Sequence, residues 1–295
     1  MTTGDSPGDG IVVVDKPAGL TSHDVVSRMR AIAGTRKVGH AGTLDPMATG
    51  VLVLGINKAT RLLGHLTLAS KTYLATIRLG QSTVSDDAEG EVIGSASTRG
   101  LTDAEIAAAI AGLVGDIQQV PSSVSAVSID GKRAYARVRD GQPIALPART
   151  INVSRFTMGA VRREGDLLDV DVEVTCSSGT YVRALARDIG AALGVGGHLT
   201  MLRRTRVGPY DLAEARTLEA LAVDLSVIRM GEVARAWFTT FTVEPGDVFG
   251  IRNGQRRDLP IGTETTAILA PDGELLALYV REPDQPAKPL MVVAG

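Results

Sequence analysis

Residues 39–50 read GHAGTLDPMATG, and the side chain in this stretch best suited to chemistry is Asp45. A carboxylate can attack as a nucleophile or take a proton as a general base. Pro46 restricts the backbone next to Asp45, and glycines on both sides permit tight turns and close approach of a large partner. The same features suit an aspartate that merely forms a turn, so the residue types by themselves leave both readings open. Metal chemistry has less to draw on. Cys176 is the single cysteine, and with four scattered histidines it makes no zinc-binding pattern and no intramolecular disulfide.

The net charge of −2 gives no hint of a nucleic-acid partner, but its distribution is uneven. Acids gather in residues 85–91 (SDDAEGE), and bases gather in residues 28–37, 132–139, 203–206 and 252–257. A solvated surface is the plain reading of any one cluster. The basic clusters together are compatible with a composite basic face, provided that folding assembles them.

The elements that must position these residues follow from pattern. A β-branched run at 11–14 ends at Lys16-Pro17 and predicts a buried strand leaving into a turn. Thr21 and Ser22 are good N-caps for a helix with Val25, Val26, Met29 and Ile32 on one face and Gly34 as its stop. After the loop at 39–50, residues 51–54 read as a strand, and residues 58–68 carry helical spacing at Leu62, Leu63 and Leu66. Residues 71–79 form the next expected strand, with the acidic segment after it as a loop. Thr102 and Glu105 make a capping box for a helix whose face is Ile106, Ile110, Leu113 and Val114. Residues 121–149 have weak periodicity and many Ser, Gly, Pro and Arg, the texture of a functional excursion from the core.

Apolar and polar residues alternate through Leu168, Val170, Val172, Val174 and Cys176, which predicts a half-buried strand. Gly179 and Thr180 then open a helix running to Leu193, and residues 199–210 return as an extended basic segment. From about Phe238 the texture changes to short strands with turns at Pro245-Gly246, Asn253-Gly254 and Pro271-Asp272-Gly273, predicting a small all-β domain. Strands in hairpin-like order interrupted by helices favour a mixed α+β sheet. With 295 residues, one large domain and a smaller appendage are expected. Residues 1–10 read as a flexible tail and not as a signal peptide. No apolar run approaches the roughly 18 residues of a membrane span, so a cytoplasmic protein without metal or membrane is expected.

The segment HAGTLDPMATGVLVLG resembles the catalytic segment of the TruB family of pseudouridine synthases. VDKPAGLTSHDVV, KTYLATIRLG, CSSGTYVRALARDIG and HLTMLRRTRVGPY resemble further family segments, in the family's order over about residues 11–210. The resemblance implies a pseudouridine synthase fold: a mixed, largely antiparallel sheet with flanking helices over residues 11–237, a thumb-like RNA-binding insertion at 121–149, and a PUA-like module at 238–295. It implies a cofactor-free isomerase that converts the T-loop uridine (U55) of tRNA to pseudouridine after flipping the base. Asp45 is then the essential carboxylate, Arg183 its countercharge, and Tyr73 the aromatic against the uracil ring. His40 holds the space that the flipped base vacates, Leu202 closes over that base, and Tyr181 packs in the pocket. Lys16 and Pro17 form a scaffold pair. Lys132, Arg133, Arg137 and Arg139 meet phosphates from the thumb, although Ser122, Val124 and Ser128 depart from the family's residues there. Arg252, Arg256 and Arg257 face the acceptor side of tRNA. His23, His65 and His198 receive no chemical role. A monomer acting without guide RNA is expected; the alternatives are a non-catalytic RNA chaperone on the same fold and a guide-RNA-dependent isomerase.

Overall fold

The β-branched run near the N-terminus pairs along its whole length: Gly10–Lys16 lies antiparallel to Thr49–Ile56, with Val12 opposite Leu54 and Val14 opposite Leu52. Both strands are buried almost throughout, which is why they read as continuous apolar runs and not as alternating ones. The computed structural model describes residues 8–122, 128–129, 132–133 and 146–293. These divide into two compact units, one built from residues up to 46, 50–67 and 208 onward, the other from 47–49 and 68–207.

In the first unit, Val38–His40 pairs with Thr49–Ile56, and Ile228–Arg229 pairs with the start of Gly10–Lys16. A Cβ at position 10 would lie 2.2 Å from the Ile228 carbonyl oxygen, so only glycine lets these strands meet there. Order begins earlier than the tail expected at 1–10: the Asn57 amide donates to the Gly8 carbonyl at 3.2 Å, and the Lys58 N–H to Asp9 at 3.2 Å. Helix Ser22–Ile32 starts with a full capping box between Thr21 and Asp24, buries Val25, Val26 and Met29, and is followed by Gly34 at φ +61°. The helical spacing at 58–68 resolves into a 3₁₀ turn, Asn57–Leu62, and a single α-turn, Leu63–Leu66.

The C-terminal part of this unit is a sheet of four strands. Thr239–Thr242 runs parallel to Thr266–Leu269, followed by Leu275–Val280 and Lys288–Val292 in antiparallel order. Its core gathers Val243, Ile251, Leu259, Ile268, Leu276 and Tyr279. The module departs from the all-β expectation in one place: helix Val248–Arg252 follows the 3₁₀ turn Pro245–Asp247. Five residues around one deeply buried side chain, Ile251, are too short to show a helical period.

In the second unit, Lys71–Leu79 lies between Leu167–Cys176 and Gly197–Val207, antiparallel to both; Arg149–Glu164 and Gly115–Gln119 extend the Leu167–Cys176 side. The alternation in Leu167–Cys176 is realised as predicted, with Leu168, Val170, Val172, Val174 and Cys176 inside. On the other face Asp169 takes a two-pronged hydrogen bond from Arg78, both prongs at 2.8 Å. Helix Val182–Ala192 packs on Gly197–Val207, and the approach is close: a Cβ at Gly190 would sit 2.2 Å from the backbone of Gly196 and Gly197. Helix Asp103–Ala111 has the predicted Thr102–Glu105 capping box and buries Ile106 and Ile110. It ends at Gly112, so Leu113 and Val114 lie beyond it and Val114 is exposed, contrary to the expected four-residue face. Antiparallel ladders with flanking helices and a small separate sheet make this a mixed α+β protein. No helix among the described residues is long and apolar enough to cross a membrane.

Candidate active site

Asp45 stands in the first unit between two residues whose backbones are pinned. Ser22 Oγ donates to the Leu44 carbonyl at 3.1 Å and accepts the Leu44 N–H at 2.9 Å. On the other side the Pro46 carbonyl accepts from Gly19 N–H at 2.9 Å and from Lys16 Nζ at 3.2 Å. The Lys16 side chain is fully buried and also donates to the carbonyls of Pro17 at 2.8 Å and Leu20 at 2.6 Å. An ammonium taken out of water needs such partners, and here they are the backbone carbonyls of the 17–20 loop and of Pro46, next to Asp45. Pro17 itself is exposed. Gly42 at φ +100° and Gly50 at φ +102° occupy the left-handed backbone region on either side of the aspartate. His40, at the end of Val38–His40, meets His23 edge to face with ring centroids 6.0 Å apart.

The second unit holds Tyr73, Tyr181, Arg183 and Leu202. Tyr73 is opposite Arg204, and Leu202 opposite Ala75, so Tyr73, Leu202 and Arg204 lie on one buried face of adjoining strands. Arg183 is the second residue of Val182–Ala192 and is buried; its Nη1 donates to the Ser85 carbonyl at 2.8 Å and lies 3.2 Å from Asp87 Oδ2. Tyr181 is the N-cap residue of that helix.

The acidic segment differs from the loop its pattern predicts. Ser85, Asp86 and Asp87 are buried and not a solvated loop. Asp87 takes the Ser85 hydroxyl and the Glu89 N–H besides Arg183. Asp86 sits at φ +61° and lies 3.4 Å from Arg187. Burial pushes its carboxyl above the usual aspartate range, opposed by the nearby Ser122 hydroxyl, Arg187 and Arg183. The signal available in the sequence is the spacing of Arg183 and Arg187, which places both on one helix face, where the buried Arg183 and the part-exposed Arg187 both call for acids.

Other expected residues distribute as follows. Arg204, from the basic cluster at 203–206, is fully buried and so lies outside any solvated basic face. Arg252 pairs with Glu274 at 2.5 Å and Arg257 lies 3.6 Å from Asp247, and the exposed Arg256 is close enough to Glu282 to help lower the pKa of its carboxyl, so all three have acids within their own module. Lys132 and Arg133 form a two-residue strand paired with Ser128–Ile129, and Arg137 and Arg139 lie outside the described residues. The remaining histidines have local partners: His65 meets Phe238 edge to face, and His198 Nδ1 is 3.1 Å from the Gln81 carbonyl.

Solved structures sharing this fold include an H/ACA RNP bound to a substrate RNA containing 2'-deoxyuridine, 25% identical with a TM-score of 0.72, where the match covers 97% of this chain and 85% of the other. A Cbf5-Nop10-Gar1 complex gives 26% identity and a TM-score of 0.73, over 98% and 86%. The fold is that of the pseudouridine synthases. The family model of the TruB family pseudouridylate synthase N-terminal domain matches residues 30–182, and that of the tRNA pseudouridylate synthase B C-terminal domain matches 183–233. Relatives named tRNA pseudouridine synthase B include those of Arthrobacter sp. (strain FB24), 58% identical over 97% of this chain and 96% of the relative, and Mycobacteroides abscessus, 59% identical over 91% of each. Another, from Streptomyces griseus, is 55% identical over the full length of both. The chain belongs to the TruB family of pseudouridylate synthases.

Proposed function

We propose that this chain is a stand-alone tRNA pseudouridine synthase, a cytoplasmic monomer that isomerises the T-loop uridine of tRNA without cofactor or guide RNA. In that reaction the N1–C1′ bond breaks, the uracil rotates, a C5–C1′ bond forms, C5 loses a proton and N1 regains one. The ring atoms and their oxidation balance are conserved, so the chemistry needs a carboxylate and no external reactant. Asp45 supplies it, either by attack at the sugar or by removing a sugar proton to give a glycal-like intermediate. Tyr73 and Arg183 carry the roles that the family resemblance gives them, His40 and Leu202 hold the flipped nucleotide and its vacated space, and Tyr181 lines the pocket. The 121–149 segment meets phosphates of the T-arm, with Lys132, Arg133, Arg137 and Arg139 as its cations. The module at 238–295 reaches the acceptor side through Arg252, Arg256 and Arg257, which lie near Glu274, Glu282 and Asp247 within the module.

The observation that supports this reading most directly is the Asp45 turn. Lys16 and Ser22 spend buried polar groups on fixing the residues to either side of it, an investment that a surface turn former has no use for. The test is carbodiimide-based primer extension on an unmodified T-arm transcript, because product and substrate have the same mass. Wild type alone is expected to convert the transcript, and Asp45→Asn to bind it with no product. Normal turnover by Asp45→Asn removes the catalytic assignment, and a wild type that binds every tRNA offered but modifies none makes the protein an RNA chaperone.

A further inference from the structure

Resting on the function just proposed, we infer that Gln119 is a positioning residue for Arg183. Gln119 ends the strand Gly115–Gln119 and its side chain is buried. Both of its polar atoms go to one residue: Oε1 accepts the Tyr181 N–H at 2.9 Å, and Nε2 donates to the Tyr181 carbonyl at 3.0 Å. Tyr181 is the N-cap of Val182–Ala192 and its side chain makes no capping hydrogen bond. The Gln119 amide therefore holds the N-cap residue from a distant strand, and by bonding both backbone groups of Tyr181 it fixes the angle at which the helix starts.

Arg183 follows two residues later. Its long side chain reaches the Ser85 carbonyl and Asp87 only from a fixed Cα, because a small rotation of the first helical turn moves the end of an arginine by much more than its root. The next residue of the same segment repeats the tie one turn on: the Val120 carbonyl accepts from Arg187 Nη2 at 2.7 Å, and Arg187 also approaches Asp86. Residues 119 and 120 thus hold the helix at its start and at its second arginine, and the acidic segment holds both arginines from the other side.

Two variants separate positioning from plain structural support. Gln119→Met keeps the side chain's size and removes both hydrogen bonds. Its single-turnover rate with saturating enzyme is expected to fall about tenfold or more, as displaced reacting groups do, while the RNA dissociation constant stays within about twofold of wild type. Gln119→Glu presents the same donor and acceptor pair as the amide only when its carboxyl is protonated, so its rate relative to wild type should recover as pH falls. In the free protein, Gln119→Met should raise deuterium uptake in the 181–186 turn. A folded Gln119→Met enzyme with wild-type single-turnover rate overturns the inference, as does a loss confined to RNA affinity. If Gln119→Met does not fold, a pH-independent rate ratio for Gln119→Glu overturns it. Should wild type itself make no pseudouridine, the proposed function fails, and the exchange comparison still decides whether Gln119 orders the turn: unchanged uptake there defeats the claim.

Discussion

Lys16 offers the sharpest perturbation, because it holds the backbone carbonyl of Pro46, the residue next to Asp45. Replacing it by methionine keeps the aliphatic stem and removes the donor to the carbonyls of Pro17, Leu20 and Pro46. The Pro46 carbonyl keeps its bond from the Gly19 N–H, and Pro17 is exposed enough for water to replace the lost partner. The half-buried Leu20 carbonyl, bonded at 2.6 Å, bears the largest loss. Each charge-assisted bond contributes about 1.5–3 kcal/mol and each carbonyl left dry costs about 1–3 kcal/mol, set against the several kcal/mol no longer needed to desolvate an ammonium. The net expectation is a destabilisation of about 2–4 kcal/mol, from one site, in urea unfolding. The effect on rate should exceed the effect on affinity. A turn held at Pro46 by the Gly19 N–H alone gives Asp45 more freedom, and misplacement of a reacting group by about 1 Å costs on the order of 100-fold. Lys16→Met should thus lose about two orders of magnitude in single-turnover pseudouridine formation with little change in RNA binding. Lys16→Arg should not rescue it, because the side chain is wholly enclosed and a guanidinium is larger. A Lys16→Met protein whose unfolding midpoint and single-turnover rate both match wild type would refute the reasoning.

Gly190→Ala places a methyl 2.2 Å from the backbone of Gly196 and Gly197, where nothing flexible can yield. Overpacking of this kind costs about 1–3 kcal/mol, and because the displaced helix carries Arg183, the rate should fall with the melting temperature; a melting curve unchanged from wild type would show that the helix has slack. Burial, and then the neighbouring Arg204, bring the Lys71 ammonium down to about 8 from 10.5. Between those values the unfolded chain binds the extra proton, so Lys71 makes stability rise as pH increases from about 8 towards 10.5. The buried Cys176 thiol, raised from 9.0 to about 11, pulls the other way above pH 9. The comparison is therefore cleanest between pH 7 and 9: wild type should gain on Lys71→Met in urea midpoint over that interval, and parallel profiles would contradict the assignment.

Elements with a complete local signal were legible. The capping boxes at Thr21–Asp24 and Thr102–Glu105 join an N-cap hydroxyl to an acid three residues on, and both mark true helix starts. The alternation in Leu167–Cys176 likewise reports one wet and one dry face. What escaped was set by tertiary partners. Helix Asp103–Ala111 stops short of Leu113 and Val114 because Gly112 closes it and the chain turns at Gly115, φ +101°, to begin the next strand. Hydrophobic spacing by itself contains no record of that turn. The short helix Val248–Arg252 is invisible for the complementary reason, since it is stabilised by the module's core around Ile251 and not by its own periodicity.

The candidate site divides along the same line. Asp45 and Arg183 stood out because their segments resemble those of a family, but the groups that fix them in place left no such mark. Ser22 has the residue type of a helix cap and is a buried clamp on Leu44. Asp86 and Asp87 belong by pattern to an acidic loop and instead face two guanidinium groups, the buried Arg183 and the part-exposed Arg187. Gln119 sits in the unremarkable strand sequence GDIQQ, and only the fold brings its amide to Tyr181. Reactive groups tend to be conspicuous in a sequence because few residue types can do the chemistry. Their supports are drawn from ordinary serines, glutamines and lysines, and become recognisable only when the backbone groups they hold are known. The supports are also where single substitutions should separate rate from binding, since they alter the precision of the reacting groups and leave the surface presented to RNA unchanged.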